Sequence, residues 1–180
     1  YNLHYRHFKI FMEKKEIKYP YLPGGREIKY VSADNPFMVE AKKVQQTMST
    51  DKYFSTGAVV VKDGVIVGKG ANQSLLRTKW MIEAHKKWAC IRRWFNIPSG
   101  QKYWMCPGCS PSSQHAETRA AIDAEKKGLS KDADMYLYGH WWCCAPCWDA
   151  VIHAGIKDVY LLEGSEILFD KNHPDNIVGK

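Results

Sequence analysis

The feature that most constrains this chain is the placement of its six cysteines, which fall as Cys90, then Cys106 and Cys109, then Cys143, Cys144 and Cys147. Two C-x-x-C pairs without a secretory pattern read as metal ligands before disulfides. At about three per cent, cysteine is also too sparse for a disulfide scaffold. Upstream of the later cluster, His115-Ala116-Glu117 opens an alanine-rich helix expected over His115 to Lys127 and stopped by Gly128. Cys144-Ala145-Pro146-Cys147 opens a second helix, expected to run to Ala154 and to close at Gly155. Residues three apart at a helix start share a face, so the Cys144 and Cys147 sulfurs can reach one ion. Helix N-termini also favour thiolate, because the dipole and the free N–H groups stabilise negative charge. One histidine and two thiolates fill three corners of a zinc tetrahedron and leave the fourth for water, as a catalytic site does. Glu117, two residues past the histidine, suits a proton shuttle rather than a ligand. Cys143 keeps a rival pairing with Cys147 open. Spacing favours Cys144, since Cys143 sits about 100° further round the helix, and leaves Cys143 packed beneath the site.

The surrounding pattern sets the fold. Asp34 or Asn35 before Pro36 opens a helix whose inner face is expected at Met38, Ala41, Gln45 and Met48. Phe54 to Lys62 is an apolar, β-branched strand, Asp63-Gly64 a two-residue hairpin turn, and Val65 to Gly70 the antiparallel return. Strands follow at Ala133 to His140 and Lys157 to Glu163, with a short one expected at Glu166 to Asp170. A hairpin feeding strands that alternate with helices implies a mixed sheet covered by helices, a three-layer α/β/α sandwich. The domain spans 31–170 and carries an insertion at 73–114. A basic extension over 1–30, with helix formers at 9–18, precedes it, and a loop-like tail over 171–180 follows. No apolar run approaches the ~20 residues of a membrane span, and no signal pattern opens the chain. A cytoplasmic protein is the expectation.

At His115, Glu117, Cys144 and Cys147 the sequence resembles the zinc-dependent cytidine/deoxycytidylate deaminase superfamily, whose signature is H-x-E followed by P-C-x-x-C. The resemblance extends through Trp148 to Tyr160, and through Gly68-Lys69-Gly70-Ala71-Asn72, where the family's G-x-N turn presents an Asn to the sugar. It covers about residues 35–165, interrupted by the insertion. It departs at Cys143, where the family usually has Pro, and at His140-Trp141-Trp142, where it has Thr-Leu-aromatic. The resemblance implies that His115, Cys144 and Cys147 bind zinc, that Glu117 moves protons, and that cytosine becomes uracil with release of ammonia. It places Asn72 and Ala116 among the substrate contacts. Strand alternation puts His140 and Trp142 on one face toward the pocket, where they join those contacts.

Cys90, Cys106 and Cys109 remain, with His85 five residues before Cys90. Three cysteines and a histidine complete a closed, structural tetrahedron, and relatives on the deoxycytidylate branch carry a second zinc in this region. His85, Cys143 or a histidine of the tail can serve as its fourth ligand. The 42-residue insertion has no core of its own and needs such a staple. Trp80, Trp88, Trp94, Phe95, Tyr103 and Trp104 interleave there with basic residues, which favours packing around the metal with the charges facing water.

Charge bears on the substrate. The chain is +7 overall; residues 1–30 are net +4 and 73–114 net +6, so the rest is slightly acidic. Localised positive charge fits a phosphate-bearing partner. Asp132, Asp134, Asp149 and Asp158, near the later cysteine motif in sequence, argue against a polynucleotide crossing the site. The expectation is a homo-oligomeric, two-zinc deaminase of a free cytosine nucleotide, dCMP first. The alternatives are cytosine in single-stranded DNA or RNA, guanine or tRNA adenine as substrate, or an inactive zinc-stabilised homologue that binds nucleic acid.

Overall fold

The computed structural model describes residues 20–98 and 101–179. The helix expected within 9–18, and most of the basic extension, lie outside the described residues. Strands β1 (Ile28–Val31), β2 (Gly57–Lys62), β3 (Val65–Ala71), β4 (Asp134–Tyr138) and β5 (Asp158–Leu162) form one sheet in the order β1-β5-β4-β2-β3. β2 runs antiparallel to β3 and β4, while β4, β5 and β1 run parallel. The sheet is mixed, as the pattern implied. Asp63 and Gly64 both take positive φ, 50° and 77°, which makes the tight turn between β2 and β3.

Side-chain alternation builds two cores. Ala58, Val60, Met135 and Leu137 face helices α4 (Ala116–Lys126) and α5 (Ala145–His153). Val59, Val61 and Tyr136 face α1 (Pro36–Met48) and α6 (Ser165–Phe169) on the other side. Three layers result. Asn35 caps α1 by accepting from the Phe37 and Met38 amides at 3.0 and 3.2 Å, and Pro36 follows. The buried face of α1 is Met38, Ala41 and Val44. The expected Met48 is exposed, and the Gln45 amide donates to the Ser55 carbonyl at 3.4 Å instead.

Several boundaries differ from the sequence reading. Strand β1 begins inside the segment assigned to the extension: Ile28–Val31 pairs with β5, held by the Lys29–Asp158 ion pair at 2.9 Å and by Arg26 donating to the Ile156 carbonyl at 2.9 Å. Residues 54–56 precede β2 as loop, because the Asp51 carboxylate accepts the Tyr53 and Phe54 amides and turns the chain there. The strand expected to reach His140 ends at Tyr138, where Gly139 takes φ +93°. Of Glu166 to Asp170, expected as a strand, all but the capping Asp170 belong to helix α6; Leu168 and Phe169 cover the sheet face rather than extend an edge. The insertion holds α2 (Lys79–Lys87), α3 (Ile91–Trp94) and two single 3₁₀ turns.

One close approach sets the position of α4. A Cβ on Gly70 would run into the backbone of Ala116 and Ala120, so only glycine lets the first turn of α4 lie directly on β3.

Candidate active site

His115 is the N-cap residue of α4 and Cys144 that of α5, so two helix starts converge on one point. Nδ1 of His115 lies 3.3 Å from the Cys147 sulfur and 3.5 Å from the Cys144 sulfur, and the two sulfurs are 3.1 Å apart. His115 Nε2 donates to the Ser110 carbonyl at 3.0 Å. That bond selects the tautomer whose Nδ1 lone pair faces the sulfurs. The hydrogen-bonded contact with the Cys147 sulfur, with help from His115, brings the Cys144 pKa down to about 5 against the opposing effect of burial. Cys143 is excluded from this group: it is wholly buried in the core, where burial and then the Glu117 charge keep its thiol protonated. The ligand atoms of His115, Cys144 and Cys147 all lie within 4.8 Å of one another. An N,S,S donor set of this kind suits zinc and leaves one position for water.

Glu117 follows on the first turn of α4, 4% exposed. Burial pushes its carboxyl above the ordinary range, with the His115 charge opposing. It borders a cavity of about 380 Å³, within the usual size for a small-molecule site.

The insertion borders the same cavity, through His85, Cys90, Arg92, Arg93, Tyr103 and Cys109. His85 in the last turn of α2, Cys90 at the start of α3, Cys106 and Cys109 bring their ligand atoms within 4.8 Å. Cys109 lies 3.7 Å from Cys90 and 3.7 Å from His85 Nε2, and Cys106 is 4.0 Å from Cys90. Burial, then the Arg93 and Arg92 charges, hold the His85 pKa down to about 4, so the ring is neutral and ready to bind metal at pH 7. A Cβ on Gly108 would overlap the His85 ring, so glycine is what lets the imidazole reach the sulfurs. The donor set is closed and fits a structural zinc. His85 occupies the fourth place; Cys143 and the tail histidine, His173, are in neither cluster.

Over residues 31–163 the chain matches the cytidine and deoxycytidylate deaminase zinc-binding region. It belongs to that family. The family's members are deaminases, hydrolases acting on C–N bonds. Comparison with curated proteins gives no match. Among solved structures, similarity is found to RibD of Acinetobacter baumannii, at 21% identity over 69% of this chain and 26% of that one, TM-score 0.38. The chain thus spans about a quarter of that enzyme's length. A dCMP deaminase from the cyanophage S-TIM5, solved in complex with dCMP and dUMP, is 21% identical over 72% of this chain and 82% of its own, TM-score 0.42. A guanine deaminase from Bacillus subtilis is 22% identical over 74% and 69%, TM-score 0.40.

Within this deaminase domain the remaining sequence candidates separate. Asn72, Ala116 and His140 all border the cavity. Asn72 is engaged with the chain itself: its Oδ1 accepts from Ser49 Oγ at 2.6 Å and the Thr56 amide at 2.9 Å, and its Nδ2 donates to the Phe54 carbonyl at 2.6 Å. His140 Nδ1 accepts the Trp141 and Trp142 amides, which leaves Nε2 as the donor. Trp142 does not share that wall. With the strand ended at Tyr138, alternation no longer applies, and Trp142 packs into the core edge-on to His140, centroids 5.0 Å apart. The aromatics of the insertion correct another expectation: Trp80, Trp88, Trp94, Phe95 and Trp104 are exposed, while Arg92 and Arg93 turn inward. Two of the acids also lie elsewhere than their sequence positions suggested. Asp134 and Asp158 sit opposite each other at the amino ends of β4 and β5, the end of the sheet away from His140 and Cys144. Asp51, Tyr53 and Lys171 complete the wall and carried no sequence signal. Lys171 comes from the tail, which returns through the Ile177 amide to the Leu168 carbonyl at 2.9 Å.

Proposed function

We propose that the protein hydrolytically deaminates a free cytosine nucleotide, dCMP to dUMP and ammonia being the first choice. The observation that carries this reading is one cavity bordered both by the buried Glu117 beside the His115–Cys144–Cys147 cluster and by two arginines of the insertion. The first cluster would hold the catalytic zinc, which when bound supplies a Lewis acid that lowers the pKa of its water toward ~7. The second, His85–Cys90–Cys106–Cys109, would hold a structural ion, giving two per chain. Glu117 accepts the water's proton as oxygen attacks C4, then returns protons to N3 and to the leaving ammonia. Burial raises its pKa above the ordinary carboxyl range, which makes it a stronger proton acceptor than a free carboxylate. His140 offers its Nε2–H, and Asn72 and Ala116 line the approach. Cluster thiols of this kind persist in the reducing cytoplasm, where we place the protein as a homo-oligomer. Among the described residues no helix is long and apolar enough to cross a membrane.

Single-stranded nucleic acid is the second reading, favoured by the exposed Trp80, Trp88, Trp94, Phe95 and Trp104 on a basic segment. Ammonia release separates the two, measured against cytosine, deoxycytidine, dCMP, dCTP, guanine and a single-stranded oligonucleotide at matched base concentration. Fastest turnover of dCMP is expected. Faster turnover within the oligonucleotide favours the second reading, and release from guanine alone sinks both.

A further inference from the structure

Two arginines follow Cys90 by two and three residues, and both border the cavity. Arg92 is 9% exposed. Its Nε donates to the Gln101 carbonyl at 3.0 Å and its Nη2 to the Pro98 carbonyl at 2.7 Å, with the guanidinium 4.1 Å over the Tyr103 ring. Arg93 donates to the Lys86 carbonyl at 2.7 Å and to the His85 carbonyl, and lies 4.1 Å over the Tyr53 ring. These carbonyl acceptors are neutral, and Arg92 also reaches the sulfur of Cys109, a residue of the second cluster. Among the described residues neither arginine forms an ion pair. A guanidinium has five N–H donors, so each retains some for another acceptor. Asp51, the one carboxylate besides Glu117 on this wall, is already turned to the Tyr53 and Phe54 amides at 3.1 and 3.0 Å. Both guanidiniums thus border the cavity without a direct ion pair to its carboxylates, and their spare, planar donors match the geometry of a phosphate.

The second cluster is what sets these arginines in place. Cys90 begins α3, which carries both, and the His85 main chain receives Arg93. We propose that Arg92 and Arg93 form an anion subsite that takes the phosphate of a mononucleotide, and that a metal ion in the His85–Cys90–Cys106–Cys109 cluster sets its affinity by locking α3. The inference rests on the deaminase reading for the base but not for the anion.

The test uses the full chain carrying Glu117→Gln, which removes turnover, with dCMP, deoxycytidine and inorganic phosphate titrated in a calorimeter. dCMP should bind at least about 10-fold more tightly than deoxycytidine, the effect of one or more charge-assisted contacts. Inorganic phosphate should compete with dCMP and not with deoxycytidine. Arg92→Lys and Arg93→Lys should each weaken dCMP about 10-fold and leave deoxycytidine within about 2-fold. Cys106→Ser, buried outside the cavity wall, should drop zinc from two to one per chain and erode the dCMP preference likewise. Where Cys106→Ser fails to fold, Gly108→Ala, which crowds His85, reads the same coupling. One zinc with the preference intact overturns the coupling. Arginine variants that weaken dCMP and deoxycytidine equally, or phosphate that fails to compete with dCMP, overturn the subsite, and the competition needs no change at any arginine or cysteine. If neither cytosine ligand binds while phosphate does, and the arginine variants lose phosphate, the base assignment falls and the anion subsite stands.

Discussion

Glu117 and His140 border the same cavity, and burial acts on them in opposite directions, raising the carboxyl pKa and lowering that of the imidazole to about 3. Each result follows from the cost of a charged form away from water. For Glu117 the consequence is catalytic. Glu117→Gln keeps the volume and loses the proton acceptor, so activity should fall by about 100-fold or more with zinc content and unfolding temperature unchanged. Substantial residual turnover would remove Glu117 from the chemistry. For His140 the consequence is stability. An unfolded histidine titrates near pH ~6.5, whereas the folded ring, holding two backbone amides on Nδ1, refuses the proton down to about 3. Below pH ~6.5 the unfolded chain therefore binds a proton that the folded one does not, and stability is lost as pH falls through that window. Urea midpoints at pH 7.5 and pH 5 should show this loss, and His140→Asn should shrink it. An identical loss in the variant would assign the acid sensitivity to other groups.

At the scale of elements, the first metal cluster depends on where two helices begin, and the second on how the end of α2 meets the start of α3. His115 and Cys144 are the N-cap residues of α4 and α5, so small displacements of either helix open the cluster between them. Metal analysis should find close to two zinc ions per chain. Cys144→Ser should remove one together with activity. Cys109→Ser should remove the other and chiefly lower the unfolding temperature, since closed sites contribute folding energy. A single ion insensitive to Cys109→Ser would refute the second site. Gly108→Ala tests the same element without touching a ligand: the added methyl meets the His85 ring, so the second ion should bind more weakly while the first is retained.

At the scale of the whole molecule, α5 ties the start of the described chain to the core. Trp148 is 1% exposed and its indole N–H donates to the Tyr21 carbonyl at 3.2 Å, across 127 residues of sequence. Trp148→Ala should cost about 3–5 kcal/mol in an unfolding titration. Trp148→Phe, which fills most of the volume but drops the hydrogen bond, should cost nearer ~1 kcal/mol, and a cost near zero for that variant would mean that the bond contributes nothing. The part of this protein legible in its sequence is the part governed by short-range periodicity. Cys144 and Cys147 share a face because helix geometry puts them there, and the alternation of Val59 and Val60 sends one side chain to each core whatever the neighbouring strands are. His115 and Glu117 are legible likewise, within one turn of a helix. Other features depend on loops closing over long distances. Four ligands spread from His85 to Cys109 meet only when α2, α3 and the Tyr103–Met105 turn fold against one another. Ile28–Val31 becomes a strand only because β5 offers it an edge, and Lys171 reaches the cavity only through the docking of the tail. The same holds for Arg92 and Trp94. Two residues apart on a short helix, one is buried and the other exposed because loop carbonyls at Pro98 and Gln101 accept the guanidinium, while the Trp94 indole donates to the Trp88 carbonyl at 2.6 Å with its ring left exposed. Hydrophobicity alone would have reversed them, since a charge can be buried wherever the tertiary structure supplies its acceptors.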